Sequence, residues 1–309
     1  MDNMILHILG CGSATPSLRH LPACQVIEYR GRLMMIDCGE GAQLSLRRYG
    51  LNMNRLTDIF ISHLHGDHCL GLVGLLSTLS LQQTGGTLTV HTFPEGARMF
   101  RQMVSFFAPS LSYNLLFNEI SPKGGEIILD DNALTVKTFP LRHRIPCVGF
   151  RFDEKPKERH LRGDVANFYG IPPYMRRAIK QGADFTRPDG TVVPNDRLTL
   201  PADPSLSYAY CSDTLYFPSL ADDVRDVTLL YHEATYADDN LSKAAERFHS
   251  TASQAARIAL AANAGTLLLG HFSKSYNNED RHLAEAAAIF PRTLLANEGL
   301  ALPLASEPG

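Results

Sequence analysis

The chain has 309 residues, 44% of them hydrophobic and 20% charged, the balance of a folded globular protein and not of a disordered, collagen-like or disulfide-stapled one. Its 29 Lys and Arg against 32 Asp and Glu leave a net charge of −3, so no overall field draws it to nucleic acid. No apolar run reaches the ~18–20 residues of a membrane span, and the start Met1-Asp2-Asn3-Met4-Ile5-Leu6-His7 lacks the basic and long apolar parts of a leader, which predicts a cytoplasmic protein.

In chain order, residues 4–9 read as a strand closed by the turn Gly10-Cys11-Gly12-Ser13. Residues 25–29 and 33–36 read as a hairpin across Arg30-Gly31-Arg32, and 42–49 as a short helix. A buried strand is expected over 58–62. Residues 69–83 then carry Leu72, Leu75, Leu76 and Leu79 at helical spacing. A strand over 88–92, a helix over 95–107 and strands near 115–120, 126–129, 134–139 and 148–152 follow. Residues 153–204 are irregular, rich in charge, Pro and Gly, with one short helix expected around 174–180. Alternation then resumes: strands over 208–211, 227–231, 266–269 and 293–296, with helices over 251–262 and 284–289. The pattern predicts one layered α/β body over 1–309 with an arm inserted at 153–200.

Two distributions carry information beyond the averages. Residues 155–187 hold eight Lys or Arg against three acids, a segment of +5 on a remainder of −8. Such a segment is either an ordinary solvated loop or a local contact for a polyanion. The six cysteines, Cys11, Cys24, Cys38, Cys69, Cys147 and Cys211, form no Cys-x-x-Cys pair and are expected to be reduced and buried.

The strand at 58–62 runs straight into His63-Leu64-His65-Gly66-Asp67-His68, four metal-ligating side chains in six residues. Residues two apart on an extended chain point the same way, so His63 and His65 can reach one ion together. Asp67 and His68, beyond Gly66, can reach a second. Imidazole nitrogen and carboxylate oxygen suit Zn²⁺, with Mn²⁺ or Fe²⁺ competing for the same ligands.

This motif resembles the signature of the metallo-β-lactamase superfamily, and its neighbours resemble the ribonuclease Z branch, the endonucleases of tRNA 3′ processing. The matching stretches begin with Leu9-Gly10-Cys11-Gly12-Ser13-Ala14-Thr15-Pro16-Ser17, Ile36-Asp37-Cys38-Gly39-Glu40-Gly41 and residues 59–68. They continue with Ser212-Asp213-Thr214, His232-Glu233-Ala234-Thr235, Phe248-His249-Ser250-Thr251 and Gly270-His271-Phe272. The resemblance implies a four-layer αββα sandwich of two mostly antiparallel sheets, with the metals at one edge. It implies two Zn²⁺ per subunit. One would be held by His63, His65, His143 and Asp213, the other by Asp67, His68, Asp213 and His271. Such an ion pair would lower the pKa of a shared water and balance charge on the phosphoryl oxygens. Asp67 would also accept a proton, and His249 would protonate the leaving oxygen or stabilise the phosphate. Glu233 either orients His249 or serves the fold. Asp37 would brace the metal loop by hydrogen bonds, and Gly39 and Gly41 would allow a tight backbone there.

The implied activity is removal of the 3′ trailer from precursor tRNA, leaving a 3′-hydroxyl on the tRNA. The implied assembly is a homodimer in which one subunit's arm serves the other's active site. No DNA or membrane partner is implied. The chain departs from the family pattern in three places. Gly170-Ile171-Pro172-Pro173 is not followed by a further Gly-Pro, Ser212 stands where Gly is common, and Cys11 stands where Thr is common. The first departure falls on the arm, where tRNA specificity would sit. A second reading therefore keeps the metals and takes a small phosphodiester or another substrate of this superfamily, and a third is a catalytically silent RNA-binding protein.

Overall fold

The computed structural model describes residues 4–305, so the first three residues of the N-terminal stretch read above for a leader lie outside it. Two compact units are present: residues 1–153 with 206–309, and residues 154–205.

The larger unit holds two seven-stranded sheets. In the first the strands run, in spatial order, Ala301–Pro303, Ile5–Gly10, Cys24–Tyr29, Arg32–Ile36, Leu56–Phe60, Thr87–Thr92 and Asn114–Glu119. In the second the order is Thr293–Leu295, Thr266–Gly270, Leu229–Glu233, Ser207–Cys211, Val148–Glu154, Leu134–Pro140 and Ile127–Asp130.

Period-two burial builds the layers. In Arg32–Ile36, Met34 and Ile36 enter the core shared with the second sheet, while Leu33 and Met35 enter a separate core beneath the helices. Phe60 of the first sheet meets Phe150 and Phe152 of the second, with ring centroids 5.5 and 5.3 Å apart. The outer core packs helices Ala42–Arg48, Leu72–Leu81 and Pro94–Phe107 onto the first sheet through Leu46, Leu72, Leu75, Leu76, Leu79 and Phe100. Helix Ala252–Ala261 covers the second sheet with Ala252, Ala255, Ala256 and Ala259, and starts at a capping box between Thr251 and Gln254. The result is the four-layer sandwich.

The sheets are mixed, which corrects the expectation of mostly antiparallel ones. From Arg32–Ile36 outward to Asn114–Glu119 every pairing in the first sheet is parallel. So is every pairing from Ser207–Cys211 to Thr293–Leu295 in the second. Apolar runs alone do not encode strand direction. Most of these connections pass through a helix, and such a crossover returns the chain in the direction it left.

Boundaries also move: the strand expected over 227–231 is Leu229–Glu233 and the helix expected over 284–289 is Asp280–Ala287. The strand expected over 58–62 is Leu56–Phe60, so the motif begins in loop. The helix expected over 69–83 is two, Gly66–Cys69 and Leu72–Leu81, broken where Gly71 packs against Cys38 and Gly39; a Cβ on Gly71 would sit 2.1 Å from the Gly39 carbonyl oxygen. All six cysteines are buried and unpaired. No helix among the described residues is long and apolar enough to cross a membrane.

The smaller unit is more ordered than its sequence suggests. Two short ladders, His160–Leu161 with Thr199–Leu200 and Phe185–Thr186 with Val192–Val193, accompany helices Gly163–Phe168, Arg176–Lys180 and Asn195–Leu198. They enclose a core of Ala166, Ile171, Ile179, Phe185, Val193 and Leu198. Acidic residues flank its basic stretch, so the whole unit carries +2. Arg176, Arg177 and Arg197 form no salt bridge among the described residues, while Lys157, Lys180 and Arg187 pair with Glu154, Glu158 and Asp189.

Candidate metal centre

Seven strands deliver their C-terminal ends to one edge of the sandwich, and the loops that follow bring polar groups there, side chains in six cases and the Ala14 backbone N–H in the seventh. Strand Leu56–Phe60 leads to His63, His65, Asp67 and His68. Leu134–Pro140 leads to His143, Ser207–Cys211 to Asp213, Leu229–Glu233 to Thr235 and Thr266–Gly270 to His271. Arg32–Ile36 leads to Asp37 and Ile5–Gly10 to Ala14. Asp37 and His271 adopt left-handed φ values of 55° and 60°, costly for residues with a Cβ and typical of side chains aimed by their surroundings.

The side chains converge in two groups that meet at Asp213. In one, His65 Nδ1 lies 3.0 Å from His63 Nε2 and 3.1 Å from His143 Nε2. Asp213 Oδ2 is 3.6 Å from His63 Nε2 and 3.7 Å from His143 Nε2. In the other, His68 Nε2 and His271 Nε2 are 3.3 Å apart. Asp213 Oδ1 stands 3.4 and 3.1 Å from them, and Asp67 Oδ2 stands 3.6 and 3.5 Å from them. Asp213 thus presents one oxygen to each group.

The residues fit a pair of divalent ions. Asp213 Oδ1 is buried and accepts no hydrogen bond, although two imidazole nitrogens stand close to it. The outer nitrogens of four histidines are already engaged, which leaves Nε2 of each facing inward. His68 Nδ1 donates to Asp37 Oδ2 at 2.7 Å and His143 Nδ1 to the Phe248 carbonyl at 3.0 Å. His63 Nδ1 donates to Ser62 Oγ at 3.1 Å and His271 Nδ1 to Thr235 Oγ1 at 2.9 Å. Such outer contacts fix the tautomer a metal requires. Burial pushes the His63, His65 and His143 imidazoles below their ordinary pKa, toward the neutral form that ligates. Against the effect of burial, the carboxylates of Asp213, Asp37 and Asp67 draw a proton onto His68, a positive charge that a bound ion would supply instead.

Asp37 is fully buried and saturated. Its Oδ1 accepts from Ser62 N at 2.8 Å, and its Oδ2 from Ser62 Oγ, His68 Nδ1 and Tyr210 OH at 2.7–2.8 Å. Asp37→Ala should therefore lower metal affinity by about 10–100-fold and leave buried donors stranded, at about 1–3 kcal/mol of stability. Metal retention against a graded chelator and thermal unfolding read the two effects separately. Full retention would show that Ser62 and Tyr210 hold the loop without Asp37. Gly39 earns its place by close approach: a Cβ there would meet the Asp67 carbonyl oxygen at 2.5 Å and Pro22 Cβ at 2.6 Å. Gly41 takes φ 87°.

His249 and Glu233 stand beside the second group. His249 Nδ1 is 3.0 Å from Glu233 Oε1 and 4.0 Å from Asp213 Oδ2. Burial lowers the His249 pKa, but the Glu233 carboxylate outweighs it and raises it to about 9. Glu233 is itself fully buried and also accepts from Thr214 N, Ser250 N, Thr235 N and Thr235 Oγ1. One carboxylate thus touches both His249 and the loops carrying Thr214, Thr235 and Ser250. Asp67 Oδ2 accepts from Ala14 N at 2.7 Å. Burial raises the Asp67 carboxyl, yet the charges of His68 and His271 hold it below the usual carboxylate range. His65, Asp67, His143, Asp213, His249 and His271 open into a cavity of about 360 Å³. The five histidines outside every family motif stand away from the site: His7 pairs with Glu28, His20 with Glu298, His91 with Asp58 and His160 with Asp203, while His282 packs its ring against Phe272 and Tyr276 and, among the described residues, hydrogen-bonds through neither nitrogen.

Sequence reasoning gave no role to Thr235, Tyr210 or the Phe248 carbonyl. Thr235 lies inside a stretch that matched the family, but its link to His271 spans 36 residues and exists only once the strands are paired.

An αββα sandwich with His and Asp side chains gathered at the strand-end loops of one edge is a metallo-β-lactamase fold. Solved structures agree at the level of fold: human tRNase Z, short form, superposes with a TM-score of 0.73 at 24% identity over 98% of this chain and 100% of that one. The metallo-β-lactamase fold protein YhfI of Bacillus subtilis does so with a TM-score of 0.70 at 18% identity, again over 98% and 100%. A family model described as Anti-Pycsar protein Apyc1 matches residues 4–91, which carry Asp37 and the His63–His68 motif but not His143, Asp213 or His271. Full-length similarity is more specific. Ribonuclease Z of Bacteroides thetaiotaomicron is 49% identical over 305 residues, 98% of this chain and 96% of that protein. Ribonuclease Z of Phocaeicola vulgatus is 49% identical over 306 residues, 99% of each. The chain belongs to the ribonuclease Z family.

Proposed function

We propose that the chain is a two-metal endoribonuclease that cuts precursor tRNA after its acceptor stem, leaving a 3′-hydroxyl on the tRNA and a 5′-phosphate on the trailer. The observation that carries this reading is the Asp213 carboxylate, with one oxygen toward each of two ligand groups. His63, His65, His143 and Asp213 would hold one ion, and Asp67, His68, Asp213 and His271 the other; Zn²⁺ suits this donor set. Bound there, such a pair supplies an activated water and balances charge on the phosphoryl oxygens.

The chain's own residues do the remainder. Asp67 Oδ2, fixed by Ala14 N, is placed to take a proton from the attacking water. His249, held in its charged form by Glu233, faces the cavity as the donor to the leaving 3′ oxygen. Glu233 positions His249 and at the same time ties the loops carrying Thr214, Thr235 and Ser250. The inserted unit of 154–205, with Arg176, Arg177 and Arg197 unpaired, is read as a tRNA-binding element within a single-domain enzyme. The enzyme is further read as a cytoplasmic homodimer whose inserted unit serves the partner's site, in keeping with six unpaired buried cysteines.

Cleavage of a 3′-extended precursor tRNA, run beside bis-p-nitrophenyl phosphate, tests the reading. A single cut after the acceptor stem, absent in Asp67→Ala, is the expected result. Hydrolysis of the small diester alone would keep the metal centre and move the substrate to small molecules.

A further inference from the structure

Resting on the ribonuclease reading, we propose that Arg144 and Arg247 form a clamp for a second phosphate of the RNA chain, the one next to the scissile phosphate on the side of the leaving oxygen. Both line the same cavity as the metal-site residues. Arg247 stands two residues before His249, and Arg144 directly follows His143, whose ring centroid lies 5.3 Å from that of His249.

Their geometry is that of a prepared pair. Helix Leu241–Arg247 ends at Arg247, and Arg144 Nη2 donates to the Glu246 carbonyl in its last turn at 3.0 Å. The tether holds the Arg144 guanidinium at the end of the helix that Arg247 closes and uses one of its five N–H donors, leaving the others for a ligand. Neither arginine forms a salt bridge among the described residues, and outside the metal groups the cavity wall carries one carboxylate, Glu40. Arg142, two residues from Arg144, is in contrast committed, stacked 4.4 Å over the Phe217 ring. The unit that holds the clamp carries a net charge of −5, so two unpaired guanidinium groups at its metal edge oppose the overall field. Planar forks with spare parallel donors match a phosphodiester's two free oxygens.

A plain alternative is that Arg247 only complements the C-terminal end of its helix and Arg144 only packs against it. Salt dependence separates the two, because a contact with RNA phosphate releases counterions and a contact within the protein does not. KM and kcat for a 3′-extended precursor tRNA would be measured from low to high salt for the holoenzyme and for Arg144→Ala, Arg247→Ala, the double variant and the two Arg→Lys variants. The expected result is a rise in KM larger than the fall in kcat, with the slope of log KM against log salt reduced by about 1 for each arginine removed. Each Lys variant should retain that slope, since it keeps the charge, while losing part of the affinity. Both arginines are exposed, so the variants are expected to fold.

If the unmodified protein cuts the tRNA and the Ala variants share its salt slope, the clamp is wrong and the ribonuclease reading stands. If the unmodified protein does not cut the tRNA, both fall together.

Discussion

Asp213→Asn is expected to lower the bound metal from two equivalents to one or fewer and to reduce precursor-tRNA cleavage by more than the ~10–100-fold that follows loss of a mere supporting contact. The carboxylate oxygens face different groups, Oδ2 at 3.6–3.7 Å from His63 and His143 and Oδ1 at 3.1–3.4 Å from His271 and His68. An amide keeps the shape but replaces one acceptor oxygen by two N–H donors. It can serve one ion at most, and the NH₂ would hydrogen-bond the imidazole nitrogens that should ligate the other. The Asn side chain also removes a charge that the site is built to hold. Burial alone would raise the Asp213 carboxyl, yet His271, His68 and His63 hold it well below the ordinary range. Elemental analysis after dialysis gives the stoichiometry, and thermal unfolding separates a lost ion from a lost fold. Two retained equivalents with full activity would show that the two groups do not share this residue.

The site was legible in sequence in proportion to how local its ligands are. His63, His65, Asp67 and His68 lie within six residues, so strand geometry alone suggested two ion-binding directions. His143, Asp213 and His271 have no such neighbours, and only the order of family motifs pointed to them. What brings Asp213 and His271 together is register: Ser207–Cys211, Leu229–Glu233 and Thr266–Gly270 pair in parallel, with Cys211 opposite His232 and His232 opposite Leu269, so the residues after each strand end at one edge. A sequence read locally contains no register.

The same limit explains what was missed in the fold. The inserted unit's strands are two residues long, too short for any periodicity, and its core residues from Ala166 to Leu198 are irregularly spaced. The edge strand Ala301–Pro303 is equally silent: three residues ending in a proline, paired to Ile5 at a sheet edge, where proline is tolerated. Helix Ala252–Ala261 was visible because its apolar face and its Thr251 cap agree.

For His249→Ala the expected loss is about 10²–10⁴-fold in precursor-tRNA cleavage, the usual worth of a positioned general acid, with metal content unchanged. His249 also stands close enough to Asp213 and His271 to form a third group of potential ligands, so metal content is the discriminating measurement. The nitrogen nearest Asp213 is Nδ1, which is 3.0 Å from Glu233 Oε1, and the raised pKa of about 9 keeps the ring protonated at neutral pH. A protonated imidazole donates and does not ligate. The identity of the leaving group provides a second test. A ribose 3′ oxygen must be protonated as it departs, whereas p-nitrophenolate is a stable anion, so bis-p-nitrophenyl phosphate should lose only a few-fold in the same variant. Equal losses on both substrates, or loss of an ion, would assign His249 to binding the phosphate or the metal. Glu233→Gln probes the pairing from the other side. The active form of His249 is the protonated one, present below about 9, so cleavage should fall as pH rises through that value. Without the Glu233 charge the His249 pKa drops, and the falling limb should move to lower pH. A Glu233 that served the fold alone would reduce stability and leave the limb where it was.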